Sequence, residues 1–149
     1  LKIEQKNTLE KIDRLLNYNY KNNPTIQLAV NNNLIDYYQK TNKWKQSGQL
    51  ISSTNKFVEQ VISNGLIKNY YLLLSNLKLL TANQFIEKEE YKELNCKEAL
   101  KLLKPFADES ESLVYLLPFV KAHKCLNTLN AAAKQADFLT NLNITNFNL

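Results

Sequence analysis

His123 is the only histidine in the chain and stands two positions before Cys125, one of two cysteines. An imidazole and a thiolate this close can share a soft metal, but a structural zinc site takes four ligands. The other two would have to be Cys96 and a distant carboxylate. Val120 holds the third place before His123, where a helical Glu-x-x-His metal motif carries glutamate. A Ser–His–Asp triad needs two more residues converging on His123, and no spacing singles out a pair. Two glycines, Gly48 and Gly65, are too few for a phosphate-cradling loop or a nucleophile elbow. Glu87, Glu89, Glu90 and Glu93 read as a solvated helix face. Asp108, Glu109 and Glu111 gather where a helix N-terminus favours negative charge. The residues therefore predict no catalytic, metal or cofactor site, and a protein that is not an enzyme.

Cys96 and Cys125 leave two readings open. As free thiols they are small buried hydrophobes of a cytoplasmic protein. As a disulfide they mark an exported one, and closing a loop of that length contributes about 3–4 kcal/mol in the chain-entropy account. The chain begins at Leu1 and contains no methionine, as a processed or trimmed chain does, and removal of an export leader leads to the same result. Export is the favoured expectation, with a cytoplasmic location as the alternative.

A second group of residues suits recognition. Tyr18, Tyr20, Tyr37, Tyr38 and Trp44 are interleaved with Lys21, Lys40, Lys43 and Lys45. Tyrosine and tryptophan anchor protein interfaces, and bases stack on them while lysines track phosphates. They also pack the ends of bundles with their polar tips wet. Tyr37, Tyr38, Trp44, Lys40, Lys43 and Lys45 are the candidate partner-binding residues. The net charge of +5 and pI near 9.1 come almost entirely from lysine, with Arg14 the only arginine. Lysine lacks the planar fork that reads bases, so this charge attracts acidic partners without specifying a sequence. The leading expectation is a non-enzymatic helical module that binds another protein. The alternatives are a basic helical nucleic-acid-binding subunit without base-specific readout, and a carrier of an apolar ligand.

Such residues need helices to position them. Hydrophobic residues make up 44% of the chain, in the globular range, and scarce glycine argues against a sheet protein with many tight turns. A single all-α domain over residues 1–149 is expected, an antiparallel bundle or stacked helical hairpins of six to seven helices. Its last residues, 136–149, either fray or dock as an extended end. Lys2 to about Asn19 forms one helical stripe through Ile3, Leu9, Ile12 and Leu16. Asn23-Pro24 starts the next helix, to about Lys40, with a main face of Ile26, Val30, Leu34 and Tyr37 and a thinner one of Leu28, Ile35 and Tyr38. Thr41–Gly48 reads as a connection, a third helix follows to Ser63, and Asn64-Gly65 stops it.

The most apolar stretch, residues 64–80, carries Lys68, Asn69, Asn76 and Lys78 among its leucines, which suits an amphipathic core helix and not a membrane span. Three capping signatures follow, Thr81–Gln84, Asn95–Glu98 and Asp108–Glu111. They predict short helices near 82–93 and 96–104 and a longer one from 109. Pro105 marks a stop after Lys104, and Pro118 a kink or division.

Overall fold

A computed structural model describes residues 6–8, 10–12, 14, 23–65, 70–107 and 112–149. They are all-α, with neighbouring helices packed together and no strand among the described residues. The chain clusters into two compact units, residues 1–68 and 69–149.

In the first unit, helical residues 6–8, 10–12 and 14 precede α1 (Pro24–Lys40) and α2 (Trp44–Ser63). The remainder of the expected first helix lies outside the described residues. Asn23 opens α1 by accepting a hydrogen bond from the Ile26 amide at 3.2 Å, with Pro24 in the first turn where no amide hydrogen is needed. The thinner of the two expected faces is the deeper one. Leu28 and Ile35 are fully buried, whereas Ile26 remains 47% exposed. The Ile26–Tyr37 stripe meets Ile12 around Val30 and Leu34, which leaves its outer end to water. Across the hairpin, buried Asn31 donates to the Thr54 hydroxyl at 3.2 Å, and that hydroxyl donates to the Leu50 carbonyl at 2.6 Å. This pair fixes register where apolar contacts alone tolerate slippage.

The connection between α1 and α2 is shorter than the sequence suggests. Only Thr41, Asn42 and Lys43 intervene, and Trp44 already begins α2. Asn42 takes a left-handed conformation, φ 61°, and reverses the chain in one step. Fully buried Ser47 then lies inside the helix instead of in a loop. Gly65, φ 67°, follows Asn64 at the end of α2, as expected of that dipeptide.

The second unit holds α3 (Tyr70–Gln84), α4 (Glu89–Ala107), α5 (Leu113–Cys125), a 3-10 helix (Leu129–Ala132) and α6 (Ala133–Asn141). Two capping signatures do not start helices. Thr81 lies inside α3 and donates to the Leu77 carbonyl at 2.8 Å, while Asn95 lies inside α4 and donates to the Tyr91 carbonyl at 2.9 Å. Both side chains turn back onto their own helix because their positions are buried, and packing overrides local preference. The turn falls instead at residues 85–88. The Asp108–Glu111 signature lies outside the described residues, and Ser112 stands at the N-cap of α5.

Neither proline divides its helix. Pro105 sits in the last turn of α4, where it and Lys101 are exposed, so the Lys101 carbonyl that lost its donor is within reach of water. Pro118 lies inside α5, and the carbonyl it leaves unpaired belongs to exposed Val114 in the first turn. The core gathers Leu103, Leu116, Phe119, Val120 and Leu139 from α4, α5 and α6. Residues 136–141 of the expected loose end belong to α6, and beyond it Ile144 and Phe147 pack against this core while Leu149 packs on a neighbouring cluster.

Three helices end on the same motif. Asn42, Asn127 and Asn143 have φ of 61°, 56° and 63°. In each case the residue after the asparagine donates its amide back across the turn: Lys43 to Tyr38 at 2.7 Å, Thr128 to His123 at 2.9 Å and Ile144 to Leu139 at 3.0 Å. This is the Schellman closure, with asparagine in the place glycine most often takes. Asn127→Ala should destabilise the protein by about 1–2 kcal/mol, the cost of a left-handed Cβ-bearing residue with no polar side chain. Asn127→Gly should be neutral or stabilising. Urea unfolding followed by circular dichroism checks the sign of both changes.

Candidate functional site

The cysteines, far apart in sequence, meet on adjacent helices. Cys96 of α4 and Cys125 of α5 form a disulfide with Cα atoms 6.4 Å apart. Cys96 is fully buried among Leu79, Ala82, Ala99 and Ala122, with Cys125, Leu126 and Leu149 packed around it. Ten residues on from Cys96 is Phe106, and ten back from Cys125 is Tyr115, and those two rings stack at 5.3 Å. The bond and the ring pair therefore report one antiparallel register. A separate contact, Lys78–Glu98 at 2.8 Å, ties α3 to α4.

His123 is buried. Its Nδ1 lies 2.8 Å from the Thr128 hydroxyl and its ring meets Phe119 edge-on at 4.8 Å. These are the two residues that the closure of α5 brings together, where an apolar contact is the usual companion. A hydrogen bond fills that place here. His123 is thus part of a helix cap. Among the described residues no group of three or more His, Cys, Asp and Glu is placed to hold a metal.

The candidate recognition residues divide. Tyr38 is buried, packed with Ile12 and Leu34, and so belongs to the core of the first unit. Tyr37 is half-buried, and Lys43 lies 5.9 Å from the centre of its ring. Trp44, next in sequence to Lys43, is 40% exposed, and Lys45 is exposed. Lys40 pairs with Asp36 at 2.8 Å, an exposed contact worth little in stability but sufficient to orient the ammonium. Tyr37 also lines a groove of about 270 Å³ with Ile12, Val30, Leu34 and Lys11. One tyrosine ring therefore joins an apolar groove to a lysine rim. Tyr18, Tyr20 and Lys21 lie outside the described residues.

The charge is unevenly shared. Residues 1–68 hold ten Lys or Arg against five Asp or Glu, whereas residues 69–149 hold nine of each. The whole basic excess belongs to the unit that carries Trp44.

Two aromatic groups in the second unit have no counterpart in the sequence reading. Tyr70 and Tyr71 stack at 4.4 Å, and Tyr71 meets Phe106 at 5.2 Å, which continues to Tyr115. A hydrogen bond with Tyr71, then the charge of that neighbour and burial, push the Tyr70 phenol above its ordinary pKa. At the α3–α4 turn, Phe85 and Tyr91 meet edge-on at 5.2 Å with Lys88 5.4 Å from the Phe85 ring. Beside them Ile86, Tyr91 and Leu94 are 52%, 44% and 52% exposed. Tyr91 and Leu94 stand three apart on one helix, a spacing that could have revealed the patch had the helix start been placed correctly. No known family, no curated protein and no solved structure matches the chain.

The disulfide makes a direct chemical prediction. Thiol titration of native-source protein, unfolded without reductant, should find no free thiol, and two titratable thiols would contradict the bond. Reduction should destabilise the protein by about 3–4 kcal/mol. Helix should survive it, since Leu103, Val120 and Leu139 hold α4, α5 and α6 together without the bond.

Proposed function

We propose that the protein is a non-enzymatic helical interaction module that binds another protein through the α1–α2 end of its first unit, and that it works outside the cytoplasm. Trp44 carries the proposal: a large ring 40% exposed, on a rigid hairpin end, beside the Tyr37–Lys43 pair. Partly exposed aromatic residues with a basic rim have the composition of an interface anchor. The groove beside Tyr37, at about 270 Å³, falls below the roughly 300–1,000 Å³ of small-molecule pockets and suits one apolar side chain of a partner. The Cys96–Cys125 bond supports an oxidising compartment. No helix among the described residues is long and apolar enough to cross a membrane.

The nucleic-acid reading draws on one observation, the concentration of basic excess in residues 1–68. It makes a different prediction about salt. Phosphate contacts release condensed counterions, so such binding weakens steeply as salt rises. Fluorescence anisotropy with labelled single-stranded RNA and duplex DNA should show no appreciable binding at physiological ionic strength. Tight, salt-sensitive binding would reverse the ranking. Protein partners captured from native extract should be lost on Trp44→Ala, with a cost on the order of 2 kcal/mol for an anchor tryptophan. They should persist when salt is raised.

A further inference from the structure

The patch at the α3–α4 turn is the opposite of the Trp44 end in charge and its like in apolar character. Ile86, Tyr91 and Leu94 form its exposed apolar part, stiffened by the Phe85–Tyr91 contact. Four carboxylates, Glu87, Glu89, Glu90 and Glu93, are interspersed with it, all exposed, against Lys88 and Lys92. Lys88 is drawn over the Phe85 ring, and Lys92 is only half exposed. On this rim carboxylates therefore outnumber ammonium groups four to two. In the first unit, Trp44 is exposed beside Lys40 and Lys45, while Lys43 is half-buried over the Tyr37 ring. Both patches are exposed in the folded chain.

We infer that these two surfaces take each other as partners between copies of the chain, the acidic α3–α4 turn of one copy receiving the basic Trp44 end of the next. The inference rests on the reading of Trp44 as a binding surface and names a second copy as its partner. Charge complementarity selects the occupant. Like surfaces would set lysine against lysine or glutamate against glutamate, so a two-fold pairing of either patch with itself is disfavoured. Joining unlike patches is heterologous, so an open chain of copies keeps one unused surface of each kind, one at each end. Growth continues until a ring closes or the chain of copies stops. The apolar anchors are few, so the contact is weak.

Sedimentation of the full chain across concentration tests this. Mass should rise with concentration at low salt, and raising salt from about 50 to 500 mM should weaken association several-fold as the rims are screened. Trp44→Ala and Tyr91→Ala should each weaken it about tenfold or more while leaving the helical spectrum unchanged. Mixed together they should form a one-to-one dimer that grows no further, because each variant retains the surface the other has lost. Lys45→Glu and Glu90→Lys give a second route that spares the apolar residues: each alone should weaken association, and their mixture should restore it. A wild-type chain that stays monomeric to about 1 mM at low salt would overturn the inference, and Trp44-dependent capture of a different protein would still stand. Association that ignores Tyr91 or Glu90 would overturn it too. Association that depends on Tyr91 but ignores Trp44 would overturn this inference, while capture of a different protein, lost or kept on Trp44→Ala, decides separately on the reading of Trp44.

Discussion

A helix is often ended by a residue that accepts a left-handed backbone, and this chain has only two glycines with which to do it. Asparagine takes over that work. At Asn42, Asn127 and Asn143 the positive φ is tolerated because a short polar side chain offsets part of the steric cost of Cβ. Only α2 is followed by a glycine, Gly65, in this conformation. Without these reversals α1 would run on past Lys40 and α5 past Cys125, and the hairpins would lose the registers that bring their side chains together.

Each closure also fixes a pair of side chains, and the three pairs differ in ways that matter. Leu139 and Ile144 are an apolar pair, which starts the last residues along the core of the second unit. His123 and Thr128 replace that contact with a hydrogen bond, which absorbs the chain's only imidazole into structure. Tyr38 and Lys43 are unlike both. The tyrosine goes inward, while Lys43 is left at the hairpin end to lie over Tyr37. Local backbone chemistry at Asn42 thus decides which residues of the aromatic–lysine group can face a partner.

What could be read from residues alone was whatever depends on period or on a single strong local signal. Helical stripes, the Asn23-Pro24 start and the Asn64-Gly65 stop are of this kind. The capping signatures at Thr81 and Asn95 misled because the same side chain that caps a helix can bond the carbonyl four residues back, and burial decides which it does. Pro105 misled because a carbonyl deprived of its donor is cheap when water can reach it, and Pro118 lies inside α5 without dividing it for the same reason. Asparagine is abundant in the chain, and three of these residues close helices. That the two cysteines are level depended on α5 running unbroken through Pro118, a matter of tertiary packing. The α3–α4 patch was hidden for the same reason, since its helix had been given the wrong start.

The aromatic–lysine end is held before any partner arrives, and this bears on how strongly so few residues can bind. Free lysine and tyrosine side chains lose about 0.5–1.5 kcal/mol each when an interface immobilises them. Lys43 over the Tyr37 ring and Lys40 against Asp36 have lost part of that freedom already. The same contacts are also competitors, because a partner that needs either ammonium must match the ring or carboxylate it leaves. Lys45 carries no such commitment on the exposed face beside Trp44 and is the cation best placed to meet an incoming carboxylate. In the proposed interface, recognition therefore divides between Trp44, which supplies area, and the exposed Lys45, which supplies charge, with the remaining residues shaping the surface on which both stand.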